Sequence, residues 1–481
     1  MTTEEVREIG ERVEPFVDEW LIARLDGAEL RLKHPVRQEV VMVFDRPWEG
    51  NTSGYPVIFE DEGRFRLYYR GSHTVGGTAK ADYEYTQEML CFAESRDGIQ
   101  WDRPDLGLVE YHGSTANNII MPATEGGDTF SVIRDESPNA TPADRYKAGT
   151  GIMDHGFFAL ASSDGLRWRR IDPDPLLADD RGYDWTQTLL WDEARGRYTA
   201  YLRGWQRVSG GEVINLKLTP PRKRIRHVRV TTSTDFITWT TPKLIDLDVP
   251  LSYEEQFYTS AIQPHPRAPH ILVGTPKRYM PRRQANFEQP ETGLSDAAFI
   301  VSRDGHRFKR WPEAFLRPGR DIKNWVQRNN NPAIGMLQLA ADEISLYWIE
   351  HYHQEEPSRL RRGTVRVDGF AAVHAGADGG AMVTRPLTFT GTRLVINYAT
   401  SAFGAVQVEI QDEAGKAIEG FQMDQCPIIY GDEIAHVVSW TDGADVSRLA
   451  GRPVRLRFSL RDADLYSIRF DRDTLSEEIS L

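Results

Sequence analysis

A seven-residue element recurs along this chain at a nearly fixed interval, and it limits the fold more than any other feature. Ser95-Arg96-Asp97-Gly98-Ile99-Gln100-Trp101 is one copy and Ser162-Ser163-Asp164-Gly165-Leu166-Arg167-Trp168 is another. Ser233-Thr234-Asp235-Phe236-Ile237-Thr238-Trp239 carries Phe in place of Gly. Ser302-Arg303-Asp304-Gly305-His306-Arg307-Phe308 carries Phe in place of Trp. Val367-Asp368-Gly369-Phe370 reads as a worn fifth copy. The aspartates stand at 97, 164, 235, 304 and 368, at intervals of 67, 71, 69 and 64 residues. A constant period of this kind marks one supersecondary unit used several times.

Each interval holds roughly four short runs of alternating apolar and polar residues, cut by Gly, Pro, Asp and Asn. Examples are Phe65–Arg70, Tyr198–Arg203, His270–Gly274 and Ile344–Ile349. Four strands per repeat is a propeller blade, so the chain predicts a five-bladed β-propeller. The recurring element then reads as a turn between the last two strands of a blade. Its Asp and Gly supply the turn geometry, and its aromatic packs the outer strand. An Asp present in every blade at the same turn is architectural rather than catalytic. Beyond residue 370 the texture changes. Gly and Ala cluster at 375–381, and runs such as Arg393–Tyr398, Val406–Ile410 and Val454–Phe458 predict a β-sandwich. The expected organisation is an all-β chain with an N-terminal extension over 1–35, a propeller over 36–372 and a sandwich over 373–481. Within the extension, residues 3–13 are expected to form a short helix capped by Thr3.

Net charge is -13 with a pI near 5.5, a surface that repels phosphate backbones and excludes nucleic acid as a partner. Two cysteines, Cys91 and Cys426, suit a reducing compartment. The charged N-terminus lacks a signal-peptide core and no long apolar run suggests a membrane span, so a cytoplasmic protein without a membrane partner is expected. Self-association is left open. No phosphate loop, dinucleotide fingerprint or nucleophile elbow occurs, and no cofactor is expected. His351-Tyr352-His353 with Glu350 and Glu355 lacks an evident fourth ligand, so no metal is expected either. Aromatics make up 10% of the chain, including 12 Trp and 18 Tyr, and such rings stack on sugars or fill β cores.

In a propeller the first residues of each innermost strand line one mouth of the central channel, so the blade openings are where chemistry is sought. They carry Trp48-Glu49-Gly50-Asn51, Asp128-Thr129-Phe130, Tyr183-Asp184-Trp185, Glu254-Glu255-Gln256-Phe257 and Trp325-Val326-Gln327-Arg328. Gathered at one mouth, Glu49, Asp128, Asp184 and Glu255 form an acidic pocket. Crowded carboxylates drive each other's pKa values apart, leaving one as general acid and another ionised, as cleavage of a glycosidic bond requires. Trp48, Trp185 and Trp325 are candidates for stacking on a sugar. Gln327, Arg328, Arg203 and Arg70 are candidates for binding hydroxyls or orienting a carboxylate.

With these openings and the trailing sandwich, the chain resembles glycoside hydrolase family 32 and more loosely family 43. Phe16-Val17-Asp18-Glu19-Trp20, Leu106–Ser114 with Asn117-Asn118, and Leu460-Arg461-Asp462-Ala463-Asp464-Leu465-Tyr466-Ser467 are similar to an uncharacterised bacterial branch described as family 32-like. The resemblance implies a carbohydrate substrate, with Glu49 as nucleophile, Asp184 as transition-state stabiliser and Glu255 as acid/base. The chain has Trp48-Glu49-Gly50-Asn51-Thr52 where the family has an Asn-Asp-Pro-Asn-Gly type motif, so Asp128 stands as the substitute for Glu49. Three functions follow as expectations. The first is a glycoside hydrolase acting on a furanoside or small oligosaccharide. The second is a glycoside phosphorylase, which needs basic residues at the mouth such as Arg328, Arg278 and Lys277. The third is a non-catalytic carbohydrate-binding propeller.

Overall fold

The computed structural model describes residues 5–75, 84–85, 88–126, 130–152, 156–178, 187–213, 216, 218–285 and 292–472. The chain is all-β: among the described residues it has strands and short 3-10 turns but no α-helix. It divides into two compact units, Pro35–Thr364 and a second made of Met1–His34 with Val365–Leu481.

Within Pro35–Thr364 the repeat becomes a series of antiparallel sheets. The first contains Gly54–Asp61, Arg64–Gly71, Met89–Ser95 and Trp101–Asp102, and the second Ser131–Arg134, Tyr146–Ile152, Gly156–Ser162 and Arg169–Arg170. The third contains Thr188–Asp192, Arg197–Arg207, Arg224–Ser233 and Lys243–Leu244. The fourth contains Ile262–His265, Ala268–Gly274, Ile300–Ser302 and Arg307–Arg310. The fifth contains Asn331–Pro332, Glu343–Glu350 and Arg359–Arg366, and takes its outer strand, Val36–Val43, from the start of the unit. Residues of all five first strands or their continuations, among them Val57, Val132, Leu189, Ile262 and Ile334, line one cavity of about 330 Å³. Cross-sheet bonds help close this ring. Ile58 N–H donates to the Ile334 carbonyl at 2.7 Å, Gly335 N–H to the Gln263 side chain at 2.8 Å, and Thr188 and Ser260 share a hydroxyl bond of 2.7 Å.

The recurring element is the turn between third and fourth strands in the first four sheets, and its hydrogen bonds explain its sequence. Ser95 Oγ accepts from Gly98 N–H at 2.9 Å, while Asp97 Oδ1 accepts from the Ile99 and Gln100 N–H groups, both at 2.8 Å. The same pattern forms around Ser162 and Asp164, Ser233 and Asp235, and Ser302 and Asp304. The Thr238 and Ile237 N–H groups hold the Asp235 carboxyl down at about 2. A second-strand tyrosine from the neighbouring sheet then reaches the turn carbonyl: Tyr68 to Gly165 at 3.1 Å, Tyr201 to Gly305 at 3.0 Å, and Tyr347 to Gly98 at 2.8 Å. The fifth copy is worn for a reason. No fourth strand follows Arg359–Arg366 in sequence, and Asp368 instead accepts from Ser467 at 2.8 Å within the second unit.

In the second unit, Arg455–Asp471 pairs with Arg393–Gln411, Gly380–Thr384 and Ala371–Ala375, and the sheet continues to Ile22–Asp26 and Ala28–Leu32. Its buried face includes Phe389 stacked on Phe470 at 3.7 Å. The helix expected over 3–13 does not form. Arg7–Gly10 is a strand, parallel to Leu387–Phe389, and Ile9 is buried in this core. A long-range strand partner overrides the local helical preference there. The N-terminal stretch is therefore part of the second unit rather than a separate extension.

At the third turn Phe236 adopts φ 67°, the left-handed region that Gly98, Gly165 and Gly305 occupy elsewhere. Its ring is fully buried, with its centroid 5.0 Å from that of Tyr198. Removing a buried Phe costs about 3–5 kcal/mol, and relief of the backbone returns about 1 kcal/mol. Phe236→Gly should therefore lose roughly 2–4 kcal/mol in urea denaturation. A neutral or stabilised variant would show that the ring does not hold this turn.

Candidate functional site

The predicted openings separate once their side chains are followed. Glu49 is 4% exposed. Its carboxylate accepts from Tyr69 Oη, from Arg103 Nη1 at 2.7 Å and from Arg46 N–H at 3.0 Å. Burial pushes this carboxyl up from the ordinary glutamate range, against the pull of Arg103. Trp48 points the same way and donates to Asn118 Oδ1 at 2.8 Å. Both side chains are thus packed into the first sheet's interior. Glu255 pairs with Arg278 at 2.9 Å and with the buried Arg310. Trp325 donates to the Gly319 carbonyl at 2.8 Å and lines a separate cavity with Met280, Leu294 and Asp296. His351 sits between Asp321 at 2.7 Å and Glu356 at 2.9 Å. Gln327 is buried beside the turn that carries Arg328. Asp128, Asp184 and Trp185 lie outside the described residues.

What converges near the starts of the inner strands is cationic and aromatic. Arg70 ends the second strand of the first sheet, and its guanidinium lies 4.7 Å from the centre of the Tyr55 ring. It also donates to Tyr352 Oη at 2.7 Å and to the Thr52 carbonyl at 3.1 Å, and pairs with Glu88 at 2.9 Å. Lys277 Nζ stands 3.9 Å from the Tyr258 ring centre and 5.8 Å from that of Tyr55. Arg203 and Arg226 lie over the same Tyr258 ring at 5.0 and 5.4 Å, and Arg328 lies 5.7 Å from the Tyr352 ring centre. Five cations drawn from widely separated parts of the chain are thus assembled around three tyrosine faces.

Strand alternation sorts these groups. In Lys277–Met280, residues 277 and 279 face one way and 278 the other. Lys277 joins Tyr258 and Tyr279, whereas Arg278 turns to Asp296, at 2.7 and 2.8 Å, and to Glu255. Glu255 therefore does not share the face that carries Lys277. Of the sequence candidates, the structure brings together Arg70, Arg203 and Arg328, with Lys277 from the phosphorylase reading. Tyr55, Tyr258, Tyr352 and Arg226 were missed. The available signal was a Tyr at or just before an inner strand in two sheets, Tyr55 and Tyr258, which a search for carboxylates passes over.

Two cluster residues occupy left-handed backbone, Tyr55 at φ 57° and Arg328 at φ 64°. Such strain costs on the order of 1–3 kcal/mol per residue and gathers at functional sites. Lys277 is a second liability. It is 1% exposed, and its Nζ has no hydrogen-bond partner among the described residues. Burial first, then the guanidiniums of Arg328, Arg203, Arg226 and Arg70, hold its amine well below the usual lysine range.

No family model matches the chain. Two Mycobacterium tuberculosis proteins, uncharacterized protein MT1551 of strain CDC 1551 / Oshkosh and uncharacterized protein Rv1502 of strain ATCC 25618 / H37Rv, are each 26% identical to it over 120 residues. That match covers 25% of this chain and 34% of each relative, so the chain spans about a third of the length of the curated relatives it matches. Among solved structures, it is similar to a glycoside hydrolase family 43 arabinoxylan arabinofuranohydrolase from Bacillus subtilis. The TM-score is 0.43 at 11% identity, over 91% of this chain and 99% of that one. It is also similar to a beta-1,2-mannobiose phosphorylase from Listeria innocua, with a TM-score of 0.44 at 10% identity, over 70% of this chain and 98% of that one.

The Lys277 environment has a signed consequence. Because its folded pKa is depressed, the unfolded chain binds a proton that the folded chain does not, from the folded value up to about 10.4. Its contribution to stability is greatest above the unfolded value and is lost as pH falls towards the folded one. Lys277→Met should therefore be more stable than the parent at pH 7, with the gap narrowing towards pH 10. Urea midpoints at both pH values check this, and a pH-independent difference would count against it.

Proposed function

We propose that the protein is a glycoside-cleaving enzyme whose five sheets are the blades of a five-bladed β-propeller followed by a β-sandwich, with the reaction at the mouth opened by the inner strands. The observation that carries this reading is the convergence of Tyr55, Tyr258 and Tyr352 with Arg70, Arg203, Arg226, Lys277 and Arg328 near the starts of those strands. Aromatic faces accept the C–H faces of sugars, while guanidinium and ammonium groups donate to sugar oxygens. A few convergent polar groups held on a rigid β frame are what orients a small polar ligand. The fold topology and the family 32-like stretches of sequence point to the same ligand class.

Cleavage also requires two carboxyl groups, one to protonate the leaving oxygen and one to attack or to activate water. In sequence, Asp128 and Asp184 stand directly ahead of the inner strands that begin at Ser131 and Thr188, and we assign the two roles to this pair. Glu255 then positions Arg278 and Arg310, and Glu49 holds Arg103, rather than touching substrate. The substrate class is a furanoside or a small oligosaccharide.

A panel of aryl furanosides and pyranosides tests the reading. Turnover of at least one sugar is expected, with a loss of about 10²–10⁴-fold in kcat for Asp128→Asn and Asp184→Asn and a smaller loss for Glu255→Gln. Sugar binding without turnover on any member of the panel would convert the enzyme into a carbohydrate-binding protein. Full activity in both aspartate variants would remove the assigned acids.

A further inference from the structure

We propose that Lys277, with Arg70, Arg203, Arg226 and Arg328 around it, forms a binding site for an oxyanion that takes part in the reaction. This inference rests on the glycoside-cleavage reading for its chemistry, but its binding test stands alone. The whole chain carries a net charge of -13, and an acidic protein that gathers five cations into one mouth does so against its average. Lys277 carries the inference furthest. Its side chain is almost wholly buried, its backbone is fixed by Thr259 Oγ1 at 3.0 Å and by Tyr258 N–H at 2.8 Å, and its Nζ has no acceptor among the described residues. Buried polar groups are normally paired, and the Lys277 amine, ringed by guanidiniums, has no acceptor among the described residues. An oxyanion supplies that acceptor and favours the protonated amine.

The anion has two sources with the same chemistry. It is either free inorganic phosphate or an acid group carried by the sugar. With free phosphate, a phosphate oxygen bonds to the anomeric carbon as the glycosidic C–O bond breaks. The departing oxygen takes a proton from a carboxylic acid, and the products are a sugar 1-phosphate and the shortened glycan. No oxidant or reductant is needed. With an anionic sugar, water takes the place of phosphate as the attacking group, and the cluster sets specificity for the acid.

The experiment measures thermal stability and calorimetric binding of the full chain with inorganic phosphate, with sodium glucuronate and with glucose as the neutral counterpart, each at ionic strength matched with sodium chloride. A saturable rise in melting temperature is expected with phosphate or glucuronate and not with glucose. Because bonds to charged groups are at stake, Lys277→Met should weaken the anion by roughly 10- to 100-fold. Arg328→Gln should weaken it in the same direction, and carries the same test if Lys277→Met fails to fold by circular dichroism. Phosphate binding together with phosphate-dependent release of a sugar 1-phosphate assigns free phosphate. Glucuronate binding with phosphate silent assigns an acidic sugar. The inference is overturned if neither anion shifts the parent beyond the chloride control, or if the folded variants bind it unchanged. Cleavage of neutral aryl glycosides by a parent protein that binds neither anion would leave the enzyme reading intact and remove only the oxyanion. Anion binding without any turnover would do the reverse.

Discussion

The Pro35–Thr364 unit depends on one strand pairing, Val36–Val43 against Arg359–Arg366, because it joins the beginning of the unit to its end. A buried carboxylate holds it. Glu350 is fully buried on the neighbouring strand and bonds Arg37 of the closing strand, Arg361 at 3.0 Å and Trp348 Nε1 at 3.1 Å. Burial works to raise the Glu350 carboxyl, but Arg361 and Arg37 prevail and hold it below the ordinary glutamate range. Gly363 allows the close approach, since a Cβ there would lie 2.4 Å from the Trp348 ring and 3.0 Å from the Val36 carbonyl. Breaking a buried ion pair from one side costs several kcal/mol, far more than a surface pair contributes. Pairing residue 36 with residue 364 also carries the loop-closure cost of a contact so distant in sequence.

Closure of this unit is what allows the cation–tyrosine cluster to hold groups that cost stability. Tyr55 and Arg328 in left-handed backbone, together with Lys277 buried among guanidiniums, each lower the stability of the isolated fold. The tyrosine latches from Tyr68, Tyr201 and Tyr347 and the Ser–Asp turns lie at the outer ends of the sheets and fix each sheet against a neighbour. A frame fixed at its periphery tolerates strain at its centre, a division that stable enzymes commonly show.

The turns were legible in the sequence because their chemistry is local. Ser and Asp bond backbone groups two and three residues away, so the motif is complete within seven residues. The cluster was not legible in the same way. Residues 70, 203, 226, 277 and 328 meet only through tertiary packing, and no two of them stand closer than 23 residues in sequence. The carboxylates at the blade openings were found by position, but position does not fix direction. Glu49 turns to Tyr69 and Arg103, and Glu255 follows Arg278 to the face opposite Lys277. The helix read at the N-terminus failed because the partner of Arg7–Gly10 lies at Leu387–Phe389, beyond any local signal.

An acidic mouth and a cationic mouth demand different chemistry from the same pair of acids. Where carboxylates crowd together, mutual repulsion alone keeps one protonated. Beside Arg70, Arg203, Arg226 and Arg328, a carboxyl is instead held ionised, suited to attack or to base catalysis but not to proton donation. A general acid then needs either distance from the guanidiniums or something that offsets them. A bound oxyanion offsets them. It cancels positive potential at the mouth and so raises the proton affinity of a nearby carboxyl, which couples arrival of the anion to readiness of the acid. On the proposed reading the cations do more than bind: they keep the acid ionised until the anion is in place.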